Sequence, residues 1–233
     1  MKTPSGQVFG ELDIMLLELM AKHGFIEWRQ TPFTLKSGIE SNVYVFGRED
    51  ITDHPDFEWL IGRKIALSVI EHTLFADRQH CLIGIPTAGT ALAQAAAMVS
   101  LKEAIYDNNR DFICHRIMKE ALKAHGAHPK WVNGEPQPQR HTYWTIDNVV
   151  TDGGSKIKAR ERLEESGYPV KIMPTLVFVD RQQGGIKIME QRGFARVVVV
   201  YKLLDLTFAF GEMNLWPKGA VKLVEREIKA HQV

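Results

Sequence analysis

Four short runs of β-branched and apolar residues recur along this chain, and two of them lead through turn residues into helical patterns. His80-Cys-Leu-Ile-Gly-Ile-Pro86 precedes an alanine-rich helix from about Ala91 to Ser100, and Tyr143-Trp-Thr-Ile-Asp147 precedes a turn from Asn148 to Ser155 and a charged helix from Lys156 to Ser166. Thr175-Leu-Val-Phe-Val-Asp180 runs into Arg181-Gln-Gln-Gly-Gly185, and Ala195-Arg-Val-Val-Val-Val-Tyr201 precedes the C-terminal stretch. A strand with one wet face alternates apolar and polar residues, whereas these runs are continuous, so both faces are buried. Such strands alternating with helices build a parallel sheet covered on both sides, and the fold class is α/β.

Upstream, Leu12, Met15, Leu16 and Leu19 recur at helical spacing between Glu11 and Lys22, and Gly24 follows as a stop signal. Residues from Phe33 to Phe46 form two β-prone pieces around Lys36-Ser37-Gly38, and Asp56 to Phe75 returns to helical period. Ala124 to His141 holds three prolines and two glycines with no apolar period, which predicts a long exposed loop of the kind that serves as a lid or binding segment. With 233 residues and no linker, the chain is expected to be a single domain, with an N-terminal part over about 1–55 and a core over about 56–233.

Charge narrows the partners. Lys plus Arg number 29 against Asp plus Glu 28, a net charge of +1, which does not suit a strongly basic nucleic-acid binder. Glu11, Asp13 and Glu18 interrupt the first apolar stretch, so no secretory leader is expected, and no window approaches the ~18 apolar residues of a membrane span. Cys81 and Cys114 form no C-x-x-C pair, and a reducing cytoplasm is the simplest setting. The histidines show no metal-ligand spacing, and the five tryptophans are scattered as core or interface residues are.

The segment richest in chemistry is Thr145-Ile-Asp-Asn-Val-Val-Thr-Asp-Gly-Gly-Ser155. A strand ends in an acid, and the turn that follows offers Thr151, Gly153, Gly154 and Ser155 ahead of a helix. Backbone N–H groups, two hydroxyls and the helix N-terminus can converge there on one phosphate. The spacing matches neither the P-loop nor the dinucleotide fingerprint, and an ordinary glycine-rich turn remains an alternative.

This segment resembles the phosphoribosyl pyrophosphate (PRPP) motif of type I phosphoribosyltransferases, and three others narrow the likeness to the orotate phosphoribosyltransferase family. Phe33-Thr-Leu-Lys-Ser-Gly38 with Ser41 and Tyr44 is similar to that family's N-terminal motif, Met118-Lys-Glu-Ala-Leu-Lys-Ala-His-Gly126 to its mobile catalytic loop, and Val179-Asp-Arg-Gln-Gln-Gly-Gly185 to a later strand-end segment. The resemblance implies a sheet flanked by helices, a small N-terminal hood and a long mobile loop. It implies transfer of phosphoribosyl from PRPP to orotate with Mg2+, in a cytoplasmic homodimer with shared active sites and no nucleic-acid or membrane partner. Lys119, Lys123, His125 and Asp147 are then the expected catalytic residues. PRPP would be held by Thr87, Ala88, Arg116, Lys119, Lys123, His125, Asp147, Asn148, Val149, Val150, Thr151, Asp152, Gly153, Gly154 and Ser155. Orotate would meet Lys36, Tyr44, Thr151 and Arg181, and Asp147 is the candidate metal contact, mainly through PRPP.

The chain departs from that pattern in places. Asn148 stands where a second acid is usual, Ala88 where a lysine is frequent, and Met118 where an arginine leads the mobile loop, with Arg116 close by. One extra residue separates Lys119 from Lys123. These departures keep open a PRPP-binding regulatory protein with little catalysis, and a phosphoribosyltransferase for another base.

Overall fold

The computed structural model describes residues 1–35, 38–45, 49–73, 77–106, 111–121 and 130–231, the side chains of 49–50 excepted. Helix α1 (Glu11–Lys22) leads into strands β1 (Ile26–Thr34) and β2 (Glu40–Val45), and then come α2 (Glu49–Thr52) and α3 (Pro55–Glu71). The remainder alternates as β3 (Gln79–Gly84), α4 (Ala88–Lys102), β4 (Cys114–Ile117), β5 (His141–Val150), α5 (Gly154–Glu165), β6 (Pro174–Asp180), α6 (Gly185–Gln191) and β7 (Arg196–Lys202), closing with α7 (Leu203–Glu212) and α8 (Gly219–His231).

Strands β4-β3-β5-β6-β7 form, in that order, a five-stranded sheet whose neighbours are all parallel. Every residue of β3 and β6 is buried, and so is nearly all of β5, which is why these runs read as continuous apolar stretches. Successive side chains point to opposite faces. Leu82, Trp144, Ile146 and Phe178 join one cluster with Leu16, Phe25 and Val43, while Cys81, Ile83 and Tyr143 join another with Ala159 and Leu163 of α5.

Antiparallel β1 and β2 make a separate ribbon that starts at Ile26, seven residues earlier than the β-prone composition indicates, with its register shifting between Trp28 and Phe33. Helix α4 begins at Ala88 rather than near Ala91, so most of the turn expected there is already helical. The expected exposed loop also differs. Over 130–140 the chain returns against the protein: Lys119 N donates to Trp131 O at 2.7 Å, Asn133 N to Ile117 O at 3.0 Å, and Val132 is buried. Backbone hydrogen bonds and the adjacent apolar pair Trp131 and Val132, not periodicity, hold that segment down.

Cys81 and Cys114 are direct partners across β3 and β4, and both thiols are free. The hydrogen bond between them pushes Cys81 up, with burial adding to the shift, and draws Cys114 down against the opposing effect of its burial. Among the described residues no helix is long and apolar enough to cross a membrane.

Candidate active site

A cleft of about 950 Å3 opens at the C-terminal ends of β3 and β5, where parallel sheets place their ligands. Its walls come from five places. The turn after β3 gives Pro86, Thr87 and Ala88; the end of β5 and its loop give Asp147, Asn148, Val149 and Thr151 to Ser155; α5 gives Lys156, Lys158, Ala159 and Arg162; β2 gives Tyr44 and Val45; and Glu120 enters from beyond β4.

Helices α4 and α5 both start in this cleft, so the positive ends of two helix dipoles face one space. Gly153 caps α5 with φ of +80°, a left-handed conformation glycine takes without strain, and the Asp152 carboxylate accepts from Gly154 N at 3.0 Å. Below the loop, Gly185 begins α6 so close to it that a Cβ there would sit 2.5 Å from the Thr151 carbonyl oxygen.

Asp147 is 6% exposed. Its Oδ1 accepts from Asn148 N at 2.9 Å, and its Oδ2 lies 2.6 Å from Lys156 Nζ. Lys156, 4% exposed, also donates to Val149 O and, at 3.2 Å, to Ser155 Oγ. One ammonium thus ties the strand-end acid to both sides of the loop. Sequence reasoning missed Lys156, since a lysine opening the run Lys-Ile-Lys-Ala-Arg-Glu-Arg reads as part of a solvated face; the available signal was a cation in a first helical turn, where the dipole disfavours it.

The other expected site residues divide. Thr87, Ala88, Asn148, Val149, Thr151, Asp152, Gly153, Gly154, Ser155 and Tyr44 line the cleft with Asp147, whereas Val150 is fully buried beneath it. Lys119 is exposed beside the cleft-lining Glu120. Arg116 lies off the cleft, donating to Tyr168 Oη at 2.5 Å and Glu135 O at 2.6 Å. Lys36, Lys123 and His125 fall outside the described residues.

Arg181 is 2% exposed and does not line the cleft, but it is bound to the strand that does. Its Nη1 donates to Val43 O at 3.0 Å and its Nη2 to Ser41 Oγ at 2.7 Å, while Glu227 Oε1 of α8 lies 3.2 Å from Nη2. Burial lowers the pKa of the guanidinium, and Glu227 and Tyr44 oppose that shift.

No family model matches the chain. It is 31% identical over 199 residues to an orotate phosphoribosyltransferase of Nostoc sp. (strain PCC 7120 / SAG 25.82 / UTEX 2576), covering 85% of this chain and 87% of that protein. It is 30% identical over 178 residues to the orotate phosphoribosyltransferase of Thermosynechococcus vestitus, covering 76% and 84%. Among solved structures it superposes on UMP synthase of Leishmania donovani with a TM-score of 0.73 and 22% identity, over 95% of this chain but only 43% of that one. The orotate phosphoribosyltransferase of Aeropyrum pernix gives a TM-score of 0.61 with 23% identity, over 84% and 99%. At these identities the structural likenesses show the fold.

Proposed function

The chain belongs to the orotate phosphoribosyltransferase family, and from that membership we propose that its cleft transfers phosphoribosyl from PRPP to orotate. In that reaction the bond from the anomeric carbon to pyrophosphate breaks, a bond to the base nitrogen forms, and orotidine 5′-phosphate and pyrophosphate leave. The observation that carries the reading is the pair of helix N-termini facing one cleft, a placement suited to a substrate with phosphate groups at both ends.

In this reading the N–H groups of Thr151, Asp152, Gly153 and Ser155 bind the 5′-phosphate while Asp152 holds Gly154 N, and the start of α4 at Thr87 and Ala88 receives the pyrophosphate. Asp147, aimed by Lys156, accepts from the ribose hydroxyls beside Asn148. Lys119, with Lys123 and His125, supplies cations to the leaving pyrophosphate, while Arg181, Tyr44, Thr151 and Lys36 serve the base. Catalysis of this kind is positioning and electrostatics around an oxocarbenium-like carbon.

The donors present do not make a protein-held Mg2+ site. The charge of the Asp147 carboxylate is balanced by the Lys156 ammonium, and among the described residues no group of three acids, histidines or cysteines converges. Mg2+ is therefore assigned to PRPP itself, as the counter-ion of its pyrophosphate. We also assign the chain to a homodimer, supported by Met98 and Leu101, which α4 leaves 58% and 51% exposed, and to the cytoplasm, supported by its two free thiols.

The test is the loss of orotate absorbance with PRPP and Mg2+, run against a Mg2+-free control and with uracil as competitor. Mg2+-dependent consumption unaffected by uracil upholds the assignment. PRPP-dependent thermal stabilisation without turnover would replace it with a binding protein on the same fold, the reading that Asn148 favours.

A further inference from the structure

The C-terminal helix brings a carboxylate to an arginine one residue from the cleft wall. Ala220, Val224 and Ile228 bury the apolar stripe of α8, and on the same helix Glu227 turns inward with its side chain 8% exposed. Glu227 Oε1 accepts from Gln183 Nε2 at 2.8 Å and from Arg181 Nη2 at 3.2 Å, and Oε2 accepts from Ser41 Oγ at 2.8 Å. The same guanidinium donates to Val43 O, and the next two residues of β2, Tyr44 and Val45, line the cleft. Helix, strand and arginine therefore meet behind the wall of the site.

The fit between the two charges is incomplete. A guanidinium can bind a carboxylate through two parallel N–H···O bonds of about 2.7–2.9 Å, yet Glu227 takes one, and that one is longer. The other Arg181 donors go to Ser41 Oγ, Val43 O and Gln183 Oε1. A small planar carboxylate able to take both arms of the fork makes the better partner. While Glu227 stays in place, however, the pair is neutral and offers an incoming anion little attraction.

We propose that Glu227 is an internal carboxylate latch, which holds one arm of the Arg181 fork, at Nη2, until a carboxylate-bearing base displaces it and α8 loosens from β2. This deepens the proposed function and rests on its assignment of Arg181 to the base. Ligand affinity is then reduced by the fraction of time the latch is closed, which makes Glu227 a specificity-determining residue for carboxylate over neutral bases.

The experiment compares wild type with Glu227→Gln, an amide of the same shape. If the latch is open about a tenth of the time, KM for orotate falls about tenfold in Glu227→Gln, while KM for PRPP and inhibition by uracil stay unchanged. An unchanged or raised KM for orotate in a folded variant overturns the proposal. Should Glu227→Gln fail to fold, backbone hydrogen exchange of the wild type decides: orotate speeds exchange across α8 if the latch is real, and unchanged or slower exchange overturns it. Failure of the enzyme reading looks different, as wild type that consumes no orotate with PRPP and Mg2+; the exchange response of α8 to orotate still reads the latch.

Discussion

An ammonium in the first turn of a helix sits at the positive end of the dipole, so Lys156 is unfavourably placed unless acceptors surround it. Asp147, Val149 O and Ser155 Oγ do so. Breaking a buried pair from one side leaves a charge without a partner, and Lys156→Met is expected to lose about 3–5 kcal/mol in urea unfolding. Adding Asp147→Asn to that variant is expected to recover much of the loss, because removing both charges is far less costly than removing one. A double variant no more stable than Lys156→Met would mean the pair is not what holds the loop. His141 gives a prediction in pH. Burial, with Arg116 and Arg140 nearby, lowers its folded pKa below the ordinary imidazole value of 6.5, so the unfolded chain takes up the proton first. That contribution to stability is full above the unfolded pKa and is lost as pH falls through 6.5 towards the folded value. Urea midpoints measured between pH 7 and 5 are expected to fall more steeply for wild type than for His141→Asn.

Elements were legible in the sequence in proportion to how deeply they are buried. The strands β3, β5 and β6 stand in the middle of the sheet, and β7 adds a run of four valines, so their composition announces them. Edge strand β4 has only Cys-His-Arg-Ile, of which three residues are half-buried and one is exposed, and nothing in that composition sets it apart from a loop. The phosphate loop was legible because its glycines answer local backbone needs, while Lys156 and Glu227 were not, because a charge turned inward by tertiary packing looks in sequence like any charge on a helix. Helix α6 tests the glycine argument. A methyl group at Gly185 meets the Thr151 carbonyl and the Val150 side chain, so Gly185→Ala must push α6 away from the loop. Overpacking of this kind costs about 1–3 kcal/mol, and weaker phosphate binding should accompany it, measured as a raised KM for PRPP. The return segment over 130–140 is pinned differently, by the Trp131 ring under Arg162 at 4.2 Å and its Nε1 bond to Glu165 at 2.7 Å. Trp131→Ala is expected to speed hydrogen exchange at Lys119 and Asn133 and leave that of β6 unchanged.

At the scale of the whole molecule, ligand and fold share the same contacts, since the cleft joins loops from three strands with the start of two helices. PRPP at about a hundred times its Kd should add about 2.7 kcal/mol of stability, and for a chain of this length that is a rise in Tm of roughly 5–10 °C. Ribose 5-phosphate and pyrophosphate should each give part of that rise, and a rise from neither would remove the two-anion reading of the cleft. The loop proposed to hold phosphate, finally, offers its ligand mainly peptide N–H groups, which every residue except proline carries. A systematic replacement of side chains by alanine would therefore leave most of its binding groups in place. Such a survey would register the loop's supports instead, the Asp152 carboxylate on Gly154 N, the Ser155 hydroxyl on Lys156 and the glycines, and the peptide donors that meet the ligand would go unscored.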